Sequence, residues 1–90
     1  QGANLPGTET ALIHQLRLLV HEGCHLCDEM EAMLEHHPLR DHFELERVVI
    51  NNQPELEAEF GIKVPVLLEQ KEEICHYFLD ESRLRRLLRS

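Results

Sequence analysis

From Leu16 to Val20 the chain is almost continuously apolar, with Leu16, Leu18 and Val20 alternating against Arg17 and Leu19 before the run stops at Gly23. This predicts a mostly covered β-strand over about 16–21. Upstream, Ala11, Leu12 and Ile13 either extend that strand or pack separately. Past Gly23 the period lengthens: Cys27, Met30, Met33, Leu34 and His37 share one side of a helix, and Asp28, Glu29, Glu31 and Glu35 take the other. Pro38 closes it, because the residue before a proline is pushed out of the helical region. Met30 and Met33 read as core.

Phe43 and Leu45 alternate with Glu44 and Glu46, then Val48, Val49 and Ile50 run apolar, which predicts a strand passing from a half-covered margin into the interior. Asn51, Asn52, Gln53 and Pro54 form a helix start, where proline's missing N–H is harmless. Leu56 and Phe60 share a face of that helix, and Gly61 is placed to end it in a left-handed conformation. Val64 to Leu68 and Ile74 to Leu79 are two apolar runs around the polar stretch from Glu69 to Glu73, so they predict an antiparallel hairpin. Asp80 has the character of an N-cap, and Leu84, Leu87 and Leu88 follow at helical spacing.

The order is therefore βαβαββα. A strand–helix–strand opening demands parallel strands joined by a right-handed crossover, and the closing hairpin adds two antiparallel strands. The class is α/β, with a four-stranded mixed sheet and flanking helices. There is no internal repeat or linker. Residues 1–10, polar with Gly and Pro, read as a flexible N-terminal tail or an appended remnant, and 11–90 as a single domain, since 90 residues support one core.

Composition narrows the function. With 42% apolar and 29% charged residues the chain is a folded globular type. Seventeen acidic against nine basic side chains give a net charge of −8, which repels polyanions, so nucleic acid is not a partner. Arg83, Arg85, Arg86 and Arg89 oppose the dipole at the end of the last helix. No apolar run is long enough for a membrane span or a secretion signal, so no membrane partner is expected. Three cysteines are too few for a secreted disulfide framework, and a cytoplasmic, reducing setting fits best.

Two of those cysteines carry the candidate chemistry. Cys24 and Cys27, separated by His25 and Leu26, sit where the first strand passes into the first helix. There the first sulfur meets the positive end of a helix dipole, which favours thiolate over thiol. The second, one turn along, is placed to attack a mixed disulfide on the first. On this reading Cys24 is the candidate nucleophile and Cys27 the candidate resolving residue, and the expected activity is thiol–disulfide exchange. Glu22, Asp28, Glu29 and Glu31 crowd this end and disfavour a thiolate, while protonated His21 and His25 offset them, so only a moderately lowered Cys24 pKa is expected. His25 is either a setter of redox poise or a solvated helix-end residue.

The stretch from Leu16 to Leu88 resembles the glutaredoxins of the thioredoxin superfamily. Cys24-His25-Leu26-Cys27 at a strand–helix junction and Val64-Pro65 just before the third strand carry the likeness. The resemblance implies a thioredoxin-like fold, a cis bond before Pro65, and a substrate-positioning role for Val64 and Pro65 opposite the cysteines. It implies no tightly bound cofactor, a disulfide-containing protein or small thiol as substrate, and an electron donor that the sequence does not identify. Glutathione is the family's usual co-substrate. Here, however, His25-Leu26 replaces the usual Pro-Tyr, His21 stands where a Lys is usual, and Phe78-Leu79 stand before Asp80 in place of a Gly-Gly pair.

Cys75, on the last predicted strand with Tyr77 and Leu79 on its face, reads as a buried inert thiol. A zinc site from Cys24, Cys27, Cys75 and His76 is the main rival, though neighbouring strand residues point to opposite faces. An iron–sulfur cluster bridged through Cys24, or an adaptor without turnover, are the others. His14, His36, His37, His42 and His76 form no recognisable site spacing.

Overall fold

The computed structural model describes residues 13–89, so the tail assigned to 1–10, together with Ala11 and Leu12, lies outside the described residues. The elements are β1 (His14–Val20), α1 (His25–Glu35), β2 (Phe43–Val49), α2 (Pro54–Phe60), β3 (Val66–Glu69), β4 (Glu72–His76) and α3 (Glu81–Leu88). Short 3-10 turns, Arg40–His42 and Gly61–Lys63, precede β2 and follow α2. The sheet order is β2-β1-β3-β4. β1 runs parallel to β2 and antiparallel to β3, and β4 pairs antiparallel with β3.

The period-two alternation in β1 sorts its side chains to two cores. Leu16, Leu18 and Val20 join Leu67, Phe43, Cys27, Met30 and Leu34, with Leu84 and Leu88 of α3, so α1 and α3 pack on one face. Leu19, Val66, Leu68 and Ile50 form a smaller core on the other face, covered by Leu56 and Phe60 of α2. The middle strands are therefore buried on both sides, which is why their sequences read as nearly unbroken apolar runs.

Asp80 caps α3 by accepting the Arg83 N–H at 3.1 Å. His37 lies just beyond α1 rather than within it, yet its side chain is buried. The Leu39 N–H donates to His37 Nδ1 (3.0 Å), so the proton sits on Nε2, which donates to Glu81 Oε1 (2.8 Å). This imidazole ties the end of α1 to the start of α3.

Three expectations change. Gly61 is right-handed (φ −54°) because the chain tightens into the 3-10 turn Gly61–Lys63 instead of reversing there. Met33 is 48% exposed, since the buried stripe of α1 runs through Cys27, Met30 and Leu34. β4 ends at His76: Tyr77 has φ 66°, so Tyr77 and Leu79 do not continue the face of Cys75.

Candidate active site

The strand register gathers the chemistry at one end of the sheet. Leu19 pairs with Val66 and Val66 with His76, so the segment after β1, the one before β3 and the one after β4 leave the sheet together. β2 ends there too, Val20 pairing with Val49. The Ile50 N–H donates to the Val20 carbonyl (2.9 Å), and Asn51 Oδ1 accepts the Glu22 N–H (2.8 Å), holding the loop into α1. Gly23 turns that loop at φ 71°, a left-handed conformation that costs an L side chain roughly 1–2 kcal/mol.

Cys24 is the N-cap of α1, with extended backbone (φ −96°, ψ 113°). Its carbonyl takes the first helical bond, from the Asp28 N–H (3.1 Å), and its Sγ accepts the Cys27 N–H (3.1 Å). The cap role normally filled by a Ser or Asp oxygen is here filled by sulfur, which leaves one face of Sγ against a helix N-terminus. Cys24 is half-buried and Cys27 is buried. Their sulfurs lie at disulfide distance, with Cα atoms 5.2 Å apart. The half-buried sulfur can meet a substrate, and the buried one can meet only its neighbour.

The charges around this pair are more compensated than the sequence suggests. Glu31 projects to Arg47 (3.1 Å), Glu29 pairs with the exposed His25 (3.1 Å), and His21 is held by Glu57 of α2 (2.7 Å). The two histidines that face the cysteine end are thus each engaged by a carboxylate.

Pro65 is fully buried and the Val64–Pro65 peptide bond is cis. Val64 and Cys24 pack against the same core, and the Pro65 carbonyl accepts the Tyr77 N–H at 2.9 Å. Tyr77 in turn donates its hydroxyl to the Ile62 carbonyl (2.8 Å) and sets its ring edge-on to His76. A tight turn follows, closed by Phe78 N–H to the His76 carbonyl (2.7 Å). Between this turn and α1 lies a groove of about 130 Å³ walled by Leu26, Met30, Met33, Tyr77, Phe78 and Leu79, with Glu29 at its rim. The sequence signal for it was the run Tyr77-Phe78-Leu79 itself, which reads equally well as strand.

Cys75 stands apart. It lies in the larger core, where burial pushes its thiol pKa up, and a hydrogen bond from the Asp80 backbone only partly opposes this. His76, its neighbour, is on the opposite face, paired with Glu73 (2.6 Å). Among the described residues no three His, Cys, Asp or Glu side chains gather as a metal site. Nor is any described helix long and apolar enough to cross a membrane.

The model of the glutaredoxin-like domain (DUF836) matches residues 15–89. No curated protein matches the chain. Among solved structures, the chain is similar to protein Ne2328 from Nitrosomonas europaea, known from a solution NMR structure (36% identity, 83% of this chain and 91% of that one, TM-score 0.73). It is also similar to the structural-genomics protein XcR50 from X. campestris (31% identity, 82% and 95%, TM-score 0.62). The germline-specific thioredoxin Deadhead from Drosophila melanogaster, 18% identical over 93% of this chain and 87% of that one (TM-score 0.53), shares the fold.

Proposed function

The chain belongs to the glutaredoxin-like domain family, and from that premise we propose that it is a thiol–disulfide oxidoreductase working through Cys24 and Cys27. The reading rests on one observation above all: a half-buried sulfur caps a helix N-terminus at disulfide distance from a buried second sulfur.

In the reducing direction, the Cys24 thiolate attacks one sulfur of a substrate disulfide. A mixed disulfide forms, and the other substrate sulfur leaves as thiolate and takes up a proton. The Cys27 sulfur, having lost its proton, then attacks Cys24 Sγ and expels the second substrate thiolate. Two electrons have moved from the protein dithiol to the substrate, leaving the Cys24–Cys27 disulfide. An external thiol donor restores the dithiol by the reverse steps. The helix N-terminus favours the thiolate of Cys24 both as attacker and as leaving group.

Val64 and Pro65 position the substrate in this scheme, as the segment that leaves the sheet beside the cysteine loop. The substrate is a disulfide-bearing polypeptide or small thiol compound, the donor is a thiol reductant, and a reducing cytoplasm suits the chemistry. No resident cofactor takes part. Replacing Cys27 by Ser removes the second step and leaves the first. Incubation of Cys27→Ser with oxidised 2-mercaptoethanol, followed by peptide mass mapping, is expected to find a stable adduct on Cys24. An adduct on Cys75 instead, or none, would overturn the assignment.

A further inference from the structure

We propose that the groove between α1 and the Tyr77–Leu79 turn receives a large apolar side chain next to the substrate's cysteine, so that the substrate is an extended, neutral or basic polypeptide rather than glutathione. This rests on the exchange chemistry proposed above and specifies what that chemistry acts on.

Position comes first. Leu26, which lies between the two cysteines, is part of the groove wall. Whatever fills the groove while a sulfur is bonded to Cys24 therefore belongs to a residue near that sulfur, since successive residues of a chain are only ~3.8 Å apart. Size and lining come next. A cavity of about 130 Å³ is close to the ~150 Å³ apolar cavity that holds benzene, so it takes one aromatic ring or branched aliphatic group. Glutathione offers no such group: beside its cysteine it carries a glycine and a γ-linked glutamate.

The walls are open as well as apolar. Phe78 is 68% exposed, Met33 48% and Tyr77 41%, a concentration of uncovered apolar surface of the kind that marks an interaction site. Met33 and Met30 supply flexible side chains that adapt to different occupants. The far wall is fixed beforehand: Tyr77 holds φ 66° through its bonds to the Pro65 and Ile62 carbonyls, and Leu79 packs on the core. A preformed wall reduces the ordering cost of binding.

Charge then selects among peptides. Glu22 and Asp28 are exposed on the same end, Glu29 at the rim has the exposed His25 as its partner, no Lys or Arg among the described residues lines the groove, and the chain carries −8 overall. The two carboxylates of glutathione meet repulsion there, whereas a Lys or Arg beside the substrate cysteine is drawn in.

The test compares rates of reduction by the reduced protein for two short peptides, each in mixed disulfide with 2-mercaptoethanol. In one the cysteine is flanked by Phe and Lys, in the other by Gly and Glu. Glutathione disulfide is the third probe, and oxidised 2-mercaptoethanol, with no side chain to place, is the fourth. The Phe/Lys peptide is expected to react at least roughly ten-fold faster than the Gly/Glu peptide and glutathione disulfide. Phe78→Ser and Met33→Ser should shrink the ratio of the two peptide rates to what charge alone contributes, and Lys71→Ala, in the hairpin at the far end of the sheet, should leave the ratio as it is. Equal rates in the wild type, or a ratio that Phe78→Ser and Met33→Ser leave unchanged, would overturn the groove assignment while leaving exchange intact. Failure to reduce even oxidised 2-mercaptoethanol would overturn the exchange reading, and the groove assignment with it.

Discussion

At one end of the sheet, β3 returns into β4 through Gln70 and Lys71, with Glu69 paired to Glu72 across the turn, His14 bonded to Glu69, and Arg83 reaching Glu72. At the other end, the loop into α1, the Val64–Pro65 segment and the turn after β4 meet around two cysteines and an open apolar groove. Both ends contain left-handed residues, Gln70 (φ 56°) at the first and Gly23 and Tyr77 at the second. At the hairpin end the side chains are polar and the turn merely reverses the chain. At the cysteine end the same backbone conformation aims sulfur and apolar groups outward. Backbone irregularity therefore does not by itself identify a site; the chemistry it displays does.

The sharpest way to break the comparison is through the cysteines. Cys24→Ser should lower the reduction of a disulfide-bonded peptide by more than about 100-fold, because nucleophile removal has no partial substitute. Cys75→Ala should leave that rate unchanged and cost only on the order of 1 kcal/mol of stability, measured by urea unfolding, since it empties a small volume in the core. Loss of activity in Cys75→Ala, with folding retained, would move chemistry into the core. The raised pKa of Cys75 carries a matching expectation: under non-denaturing conditions it alkylates far more slowly than reduced Cys24.

Next in size are the two turns. Gly23→Ala should destabilise by roughly 1–2 kcal/mol. The new Cβ meets nothing within 4 Å, so the cost is purely conformational. Gln70→Gly should be neutral or stabilising by up to ~1 kcal/mol, the relief of left-handed strain opposing glycine's entropy, and should not change exchange rates.

The smallest expected effect is at Glu73. Burial raises its pKa, but hydrogen bonds from His76 and Lys63 outweigh this and hold it below its ordinary value of 4.5. A depressed folded-state pKa means the ionised carboxylate stabilises the fold above the unfolded value and loses that contribution as pH falls through the folded one. Glu73→Gln should therefore lower the urea midpoint slightly at neutral pH, by less than about 1 kcal/mol in stability because the pair is partly solvated, and the difference should vanish in acid.

Much of the fold was legible because periodicity changes coincide with element boundaries. The alternation of Leu16, Leu18 and Val20, the helical stripe of Cys27, Met30 and Leu34, and the Asp80 cap all survive in the structure. The cysteine pair was legible for the same reason, its place at a strand–helix junction. What did not show was local. The run Ile74 to Leu79 is apolar throughout, so nothing in it marks where β4 stops and the left-handed Tyr77 begins. Met33 follows the helical period yet faces the groove rather than the core, a distinction that depends on what packs beside it. Glu31 reads as local negative charge in the sequence because its partner, Arg47, lies on a strand sixteen positions on.

The central claim is tested most directly by the midpoint potential of the Cys24–Cys27 couple, read by mass-resolved thiol trapping of metal-free protein in graded dithiol buffers. The account predicts one reversible two-electron transition between roughly −270 and −200 mV, with Cys75 remaining a free thiol at every poise. No disulfide at any poise, or a linkage that includes Cys75, would contradict it.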